Sequence, residues 1–283
     1  MKRSLLLAGL AATLGVSIAA CAGNMSGNSS AATASQAAGT SPAAASATPL
    51  YDAKALPPGR EGKLIAYGRA LFMHTQKYAP RNVAVTMSCS ACHVAGGTVK
   101  RGGYLRIYGQ FPQWNGRSKR FIFLQDRIAE CFLYSMNGTP PPYTSKTMIA
   151  MTAYLAYISR GQPTMSKPDP QIIIAQFKAP APPSIARGSK LYASKCSMCH
   201  GADGSGSATF PPLWGAKSFN NGAGMEKVAM MAGFVRYNMP QNAPGTLTDQ
   251  QSYDVAAFVL SHARPKFVKN RMIVFPPAPA SFF

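Results

Sequence analysis

Residues 89–93 read CSACH and residues 196–200 read CSMCH, two copies of the pattern Cys-x-x-Cys-His. In this pattern the two cysteines can form thioethers with the vinyl groups of a haem, and the adjacent histidine can ligate its iron. A single copy could equally be a zinc or redox site, but two copies would need two independent coincidences. The residues predicted to bind two covalent haem c groups are Cys89, Cys92, His93, Cys196, Cys199 and His200.

The segments around each motif occur in the same order, which indicates a duplicated unit. The first unit has YGRALF before its motif and FPQW after it, and ends in AYLAYISRG; the second has RGSKLY, FPPLW and DVAAFVLSHARP. Pro-rich sequence separates the units, since proline interrupts helices and stiffens a spacer. The predicted segments are a first cytochrome c domain at 59–162, a linker at 163–184, a second cytochrome c domain at 185–265 and a basic Pro-rich tail at 266–283.

Apolar residues recur at helical spacing in both units, so the predicted fold class is all-α. Ser145 is a predicted N-cap, and Thr248 with Gln251 forms a predicted capping box. The sequence shows no run of alternating residues that would indicate strands. The residues that carry the helical pattern are Phe121, Leu124, Ile128, Phe132, Ser135 or Met136, then Met148, Met151, Leu155 and Ile158, and finally Val255, Phe258 and Val259.

The N-terminus is typical of an export signal. Residues 1–20 combine two positive residues with an apolar run too short for a transmembrane helix, and the run ends in IAAC. This ending predicts a lipoprotein signal in which Cys21 is lipidated; the alternative is ordinary cleavage near Ala20 or Ala22. Residues 21–58, which are rich in Ala, Ser and Thr, predict a flexible tether. We therefore expect a periplasmic protein anchored to the membrane only through Cys21.

The charge of the chain restricts its partners. Lys and Arg number 29 against 9 Asp and Glu, which gives a formal net charge of +20. Such a balance favours anionic partners. Because the cations are scattered among Gly, Pro and aromatic residues and form no basic helix or arm, nucleic acid is not expected. A small anion or an acidic protein fits this distribution.

The sixth iron ligand differs between the two units. In the second unit Met239, in the sequence NMP, lies between the haem motif and the last helix, where a c-type domain presents a thioether. Met225, Met230 and Met231 are competitors that fit core or loop positions better. The first unit has no Met-Pro at the corresponding place, but it has Cys131.

Cys131 has no evident disulfide partner, because four of the six cysteines belong to the haem motifs and Cys21 is a predicted lipidation site. It could be a buried, inert thiol. Arg127, Cys131 and Ser135 are, however, spaced at i, i+4 and i+8, which places them on one helical face. An arginine one turn away favours the thiolate, and the thiolate is the form that binds iron or attacks sulfur.

Most of residues 60 to 265 resembles the dihaem thiosulfate dehydrogenases. The resemblance is carried by YGRALF, SCSACH, FPQWNGRSKR, LQDRIAECFLYSMNG and MTAYLAYISRG, followed by CSMCH, NMP and LTDQQSYDVAAFV. It implies two cytochrome c domains, of which the first holds the active site and the second passes electrons to an acceptor. It also implies iron ligation by His93 and Cys131 in the first domain and by His200 and Met239 in the second, with Arg117 and Arg127 binding substrate.

The resemblance predicts an enzyme that oxidises two thiosulfate ions to tetrathionate and reduces a cytochrome c-type acceptor. Some relatives have a lysine before the second-domain methionine, where this chain has Asn238, which puts a lysine/methionine ligand exchange in doubt. Cys131 is either a ligand only or also a transient sulfur carrier. The alternatives are a tetrathionate reductase and a non-catalytic dihaem electron carrier, in which Met136 or Met148 would ligate the first iron.

Four aromatic or imidazole side chains outside the motifs have simpler interpretations. Trp114 and Trp214 occupy matching places in the two units and are expected to wall the haem edges. His74 and His262 are expected to be surface or core histidines rather than further ligands.

Overall fold

The computed structural model describes residues 51–99, 101–163, 174 and 176–268, all of which fall in one compact unit. The predicted signal peptide, Cys21, most of the tether, and parts of the linker and the tail lie outside these residues. The helices are α1 Gly59–Met73, α2 Thr75–Tyr78, α3 Val94–Gly97, α4 Leu124–Leu133, α5 Lys146–Ile158, α6 Ile185–Lys195, α7 Ser197–His200, α8 Val228–Asn238 and α9 Asp249–Leu260. Short 3₁₀ turns cover Pro80–Asn82, Cys89–Ala91, Tyr108–Gln110 and Gly224–Glu226. Across the described ranges, no helix combines the length and the apolar character that crossing a membrane requires.

The two halves of the molecule share one helix crossing. In the first half α1 packs against α5, and in the second half α6 packs against α9. A glycine makes each close approach possible: a Cβ atom at Gly68 would lie 1.9 Å from the carbonyl oxygen of Ala150, and one at Gly188 would lie 2.0 Å from that of Asp254. These glycines have the same place in YGRALF and RGSKLY, so the repeat in the sequence is a repeat in the packing.

The end of α4 is held against the second half of the chain. The buried Asn220 side chain donates from Nδ2 to the carbonyl oxygen of Leu133 at 2.8 Å, and its backbone N–H donates to that of Tyr134 at 3.2 Å. The Tyr134 ring packs at 4.9 Å against Phe267. Because a buried amide must satisfy its donors, these contacts fix the position of α4 relative to the second half.

The helix ends follow the predicted capping residues. Ser145 Oγ accepts from the backbone N–H of Met148 at 3.2 Å, and α5 begins at the next residue, Lys146. Thr248 and Gln251 form the reciprocal capping box of α9, with bonds of 2.8 and 3.2 Å.

The prediction for α4 was too long at both ends. The helix begins at Leu124, so Phe121 does not belong to it and is 45% exposed in a strand. That strand, β2 Arg120–Ile122, pairs antiparallel with β1 Gln113–Asn115. Strands of three residues are too short to produce an alternating pattern that a sequence scan detects. The fold is helical, with this one short hairpin in the described residues.

Candidate functional site

The histidine of the first motif is prepared for metal ligation. His93 Nδ1 lies 2.7 Å from the carbonyl oxygen of Gly102, which is an acceptor only, so Nδ1 carries the proton and Nε2 keeps its lone pair. Burial lowers the pKa of His93 to about 4, against a smaller opposing effect of the Gly102 bond. The imidazole is therefore neutral near pH 7, which is the form that binds a metal.

A cavity adjoins this histidine. Cys89, Cys92 and His93 line it together with Arg127, Cys131 and Ser135 of the α4 segment. Its apolar lining comprises Phe72, Met87, Leu124, Ile128, Phe132, Met136, Met151 and Leu155. Two thiols for thioether bonds, an imidazole in the metal-binding tautomer, a third sulfur and apolar walls fit a haem c. The helical spacing at 127, 131 and 135 therefore brings these residues to one site, as the sequence predicted.

Several groups act on the thiol of Cys131. Burial has the largest effect and raises its pKa; the Arg127 guanidinium lowers it, Glu130 raises it, and a hydrogen bond from the Tyr104 hydroxyl lowers it. The expectation that Arg127 favours the thiolate is right in sign, but burial outweighs it. A bound metal would supply the missing stabilisation, since a thiol releases its proton when its sulfur ligates a metal.

Glu130 is a residue of the site that sequence reasoning missed. Its Oε2 lies 2.6 Å from Nη1 of Arg127, and its Oε1 accepts from Nδ2 of Asn115 at 2.7 Å. The i, i+3 spacing from Arg127 was the available signal. The substrate-binding candidate Arg127 therefore belongs to an ion pair at the edge of the cavity.

Arg117 lies at the other end of α4. It is exposed in the turn between β1 and β2, and its guanidinium carbon lies 4.0 Å above the centre of the Tyr134 ring. Tyr134 is three residues after Cys131, and Arg127 is four residues before it. Arg127 is therefore one turn from Cys131 on α4 and lines the cavity, whereas Arg117 lies on the hairpin and is not part of the cavity lining.

The second motif forms helix α7, and its histidine is oriented in the same way. His200 Nδ1 lies 2.9 Å from the carbonyl oxygen of Pro211, and burial lowers its pKa. Met239 follows directly on α8, half-buried against the hydrophobic core. Asn238 is buried, and its Nδ2 donates to the carbonyl oxygen of Phe234 at 3.3 Å.

The two tryptophans do not have equivalent surroundings, although they occupy matching places in the two units. Trp114 lies on the hairpin, is 54% exposed and packs edge-on against Phe121. Trp214 packs inside the second half, where its ring stacks on His262 at 4.0 Å. His262 is a packing residue, as expected, and His74 is exposed.

Comparison with protein families assigns both halves. Residues 75–164 match the family described as SoxA/TsdA, cytochrome c domain, and residues 185–263 match the cytochrome c family. Two cytochrome c domains and two haem c groups are thereby confirmed.

Comparison with individual proteins gives consistent relatives. The chain is 38% identical to a thiosulfate dehydrogenase of Stutzerimonas stutzeri over 75% of this chain and 71% of that protein. It is 36% identical to a thiosulfate dehydrogenase of Allochromatium vinosum over 75% of this chain and 82% of that protein. The solved thiosulfate dehydrogenase TsdBA of Marichromatium purpuratum superposes with a TM-score of 0.72 at 33% identity, covering 76% of this chain. This chain spans about half of that protein, 49% of its length.

Proposed function

Since this chain belongs to the thiosulfate dehydrogenase family, we propose that it oxidises two thiosulfate ions to one tetrathionate in its first domain. The electrons then pass through the second domain to a cytochrome c-type acceptor. The observation that carries this proposal is the presence of Arg127 and Cys131 in the same cavity as the first haem motif.

The proposed ligand sets rest on the cavity lining in the first domain and on the histidine and the sequence position of Met239 in the second. His93 and Cys131 would hold iron in the first domain, and His200 and Met239 in the second. The bound haem groups supply one-electron redox chemistry. The chain contributes the tautomer of both histidines, through Gly102 and Pro211, and it surrounds the first site with apolar side chains that exclude water.

The arginines address the electrostatic difficulty of the reaction. Joining two thiosulfate dianions forms one sulfur–sulfur bond and releases two electrons, so like charges must approach. Two unit charges 4 Å apart repel by about 4 kcal/mol at an effective dielectric constant near 20. Arg127, in the cavity with Cys131, and Arg117, on the neighbouring hairpin, would offset this repulsion with guanidinium donors that match sulfur oxyanions.

The location and partners belong to the same proposal. Residues 1–20 and Cys21 indicate export to the periplasm and lipid anchoring, which would hold the protein at a membrane while its acceptor docks. The same residues would serve the reverse reaction, in which tetrathionate is reduced. The direction is then set by the relative potentials of the two haems and the acceptor.

One observation favours a second candidate, a non-catalytic electron carrier. Met136 lines the first cavity and could ligate iron in place of Cys131, whereas Met148 is fully buried in α5 and is not part of that lining. A carrier, however, has no use for Arg127 beside that ligand.

Stoichiometry tests the proposed function. Purified holoprotein is mixed with thiosulfate and ferricyanide, and tetrathionate is quantified. We expect two thiosulfates consumed and two electrons accepted for every tetrathionate formed. A carrier would show no thiosulfate-dependent reduction of ferricyanide, and that result would overturn the proposal.

A further inference from the structure

Glu130 is an acidic residue in an unusual place. The chain has 9 acidic residues against 29 basic ones, yet this one is 7% exposed and lies at the edge of a cavity proposed to receive anions. A negative charge there repels an anion and costs free energy to bury. Its position is therefore explained only if it organises cations that more than compensate for its own charge.

Both carboxylate oxygens of Glu130 have a partner, and the two partners belong to different elements. Oε2 holds Nη1 of Arg127 on α4 at 2.6 Å, and Oε1 accepts from Nδ2 of Asn115 on β1 at 2.7 Å. A charge-assisted bond of this length fixes a guanidinium more firmly than a neutral one. It uses one of the five N–H donors of Arg127.

Asn115 continues the connection into the hairpin turn. Its side chain is buried, and its Oδ1 accepts from the backbone N–H of Arg117 at 2.8 Å and from that of Ser118 at 3.2 Å. An asparagine that bonds to the backbone two residues ahead closes the turn. The backbone from which Arg117 projects is thereby connected through Asn115 and Glu130 to Arg127.

We propose that Glu130 and Asn115 are positioning residues, a bridge that ties the Arg127 side chain on α4 to the hairpin turn that carries Arg117, so that both guanidinium groups meet one polythionate chain. This inference rests on the proposed function for the identity of the anion. Neither residue touches substrate. Both act through the arginines, so their loss weakens anion binding more than it disturbs the fold.

Tetrathionate binding to the oxidised holoprotein tests the bridge at equilibrium, because tetrathionate cannot be reduced there without an electron donor. We expect Glu130→Gln and Asn115→Ala each to raise the tetrathionate Kd about 10-fold in calorimetry, while the absorption spectrum of the first haem stays as in the wild type. In an Arg127→Ala background, Glu130→Gln should add less than 2-fold, since residues in one network are not additive.

Tyr143→Phe is the matched control. Tyr143 donates to Asp126 Oδ1 at 2.5 Å, so this change also removes a bond to a buried carboxylate on α4, but one that holds neither Arg127 nor Arg117. It should lower the melting temperature and leave the tetrathionate Kd within 2-fold. If Glu130→Gln and Asn115→Ala behave in the same way, the bridge only stabilises the fold and the inference is wrong. If Glu130→Gln does not fold, the tetrathionate Kd of Asn115→Ala tests the inference instead, because Asn115 lies outside the helix.

Chemical modification separates this inference from the proposed function. Phenylglyoxal labels accessible arginines, and peptide mass spectrometry gives the rate at Arg127 and Arg117. Loss of the ion pair should raise the rate at Arg127 at least 3-fold in Glu130→Gln, whether or not the protein oxidises thiosulfate. Unchanged rates would contradict the bridge, whereas faster labelling in a protein without thiosulfate turnover would contradict only the proposed function.

Discussion

The two cytochrome c domains share the side that holds the haem-binding histidine and differ on the side that receives the sixth ligand. In both, a glycine lets the first and last helices touch, at Gly68 and Gly188, and a backbone carbonyl fixes the tautomer of the histidine. The repeated sequence segments are the parts that build this common frame. A duplicated frame is thus compatible with two different sites.

The differing side is charged in the first domain. Helix α4 brings Arg127 and Cys131 to the first cavity, with Glu130 paired to Arg127, whereas α8 ends in the buried Asn238 followed by Met239. The proposed function assigns the anionic substrate to the first domain and electron transfer to the second. Matched substitutions, one in each domain, test this difference by their effects on activity and stability.

The largest difference is expected between the two sulfur ligands. Cys131→Ala should lower the rate of tetrathionate formation at least 10³-fold, about 4 kcal/mol, because the ligand and the sulfur beside the substrate are lost together. Met239→Ala should cost about 10-fold, since loss of the thioether lowers the potential of the second haem and makes electron transfer into it from the first haem less favourable. Steady-state tetrathionate production measures both. Equal losses of rate in the two variants would contradict the proposal that the first domain holds the active site and the second transfers electrons.

A smaller difference is expected between arginines. Arg127→Gln should lower kcat/KM for thiosulfate about 100-fold, near 2.7 kcal/mol, which is typical of losing one preorganised charge at a transition state. Arg236→Gln is the control in the second domain, where Arg236 pairs with Asp249 at 2.9 Å. Its kcat/KM should stay within 2-fold of the wild type. A comparable loss at Arg236 would indicate a general effect of positive charge on substrate steering.

The tryptophans should differ in stability. Trp214→Ala should lower the free energy of unfolding by about 2 kcal/mol, because the ring contacts Tyr192, Phe258 and His262. Trp114→Ala should change it by less than about 0.5 kcal/mol, since that ring is exposed. Guanidinium denaturation of the two holoproteins measures the pair. A large loss at Trp114 would mean that the hairpin carries more of the first domain than its exposure indicates.

The smallest effect is expected on the stability of the fold at low pH, and it depends on Asp254. Burial alone would raise the pKa of Asp254, but hydrogen bonds from Arg187, Ser184 and Gln250 outweigh it and hold the pKa below its usual range. A depressed pKa stabilises the fold above the pKa of the unfolded chain, and this stability is lost as the pH falls through the lower, folded value.

The wild type should therefore lose stability below about pH 4, and Asp254→Asn should flatten that part of the profile. The corresponding position in the first domain has no charge. Gly68 approaches Ala150 there, in the way that Gly188 approaches Asp254 in the second domain. The melting temperature between pH 3 and 6 measures the effect. An unchanged profile in Asp254→Asn would place the acid sensitivity elsewhere.

Local patterns in the sequence predicted those features that depend on spacing along the chain. The haem motifs, the caps at Ser145 and Thr248, and the shared face of Arg127 and Cys131 all follow from fixed intervals within one element. These intervals need no knowledge of tertiary packing.

The features that sequence reasoning missed depend on contacts between elements. Glu130 acquires its role only because β1 brings Asn115 to it, and Arg117 is placed by a hairpin whose strands are too short to recognise. Trp114 and Trp214 have matching sequence positions, but only the second has a core around it. Equivalent letters in a repeat therefore do not guarantee equivalent surroundings.

Low-temperature EPR of the oxidised holoprotein beside its Cys131→Ala variant tests the central claim most directly. We predict a low-spin ferric signal of thiolate ligation in the wild type, absent from the variant, while the signal of the second haem is unchanged in both. A wild-type spectrum without a thiolate signal, or the same spectrum in the variant, would contradict the assignment of Cys131 as the iron ligand at the site of thiosulfate oxidation.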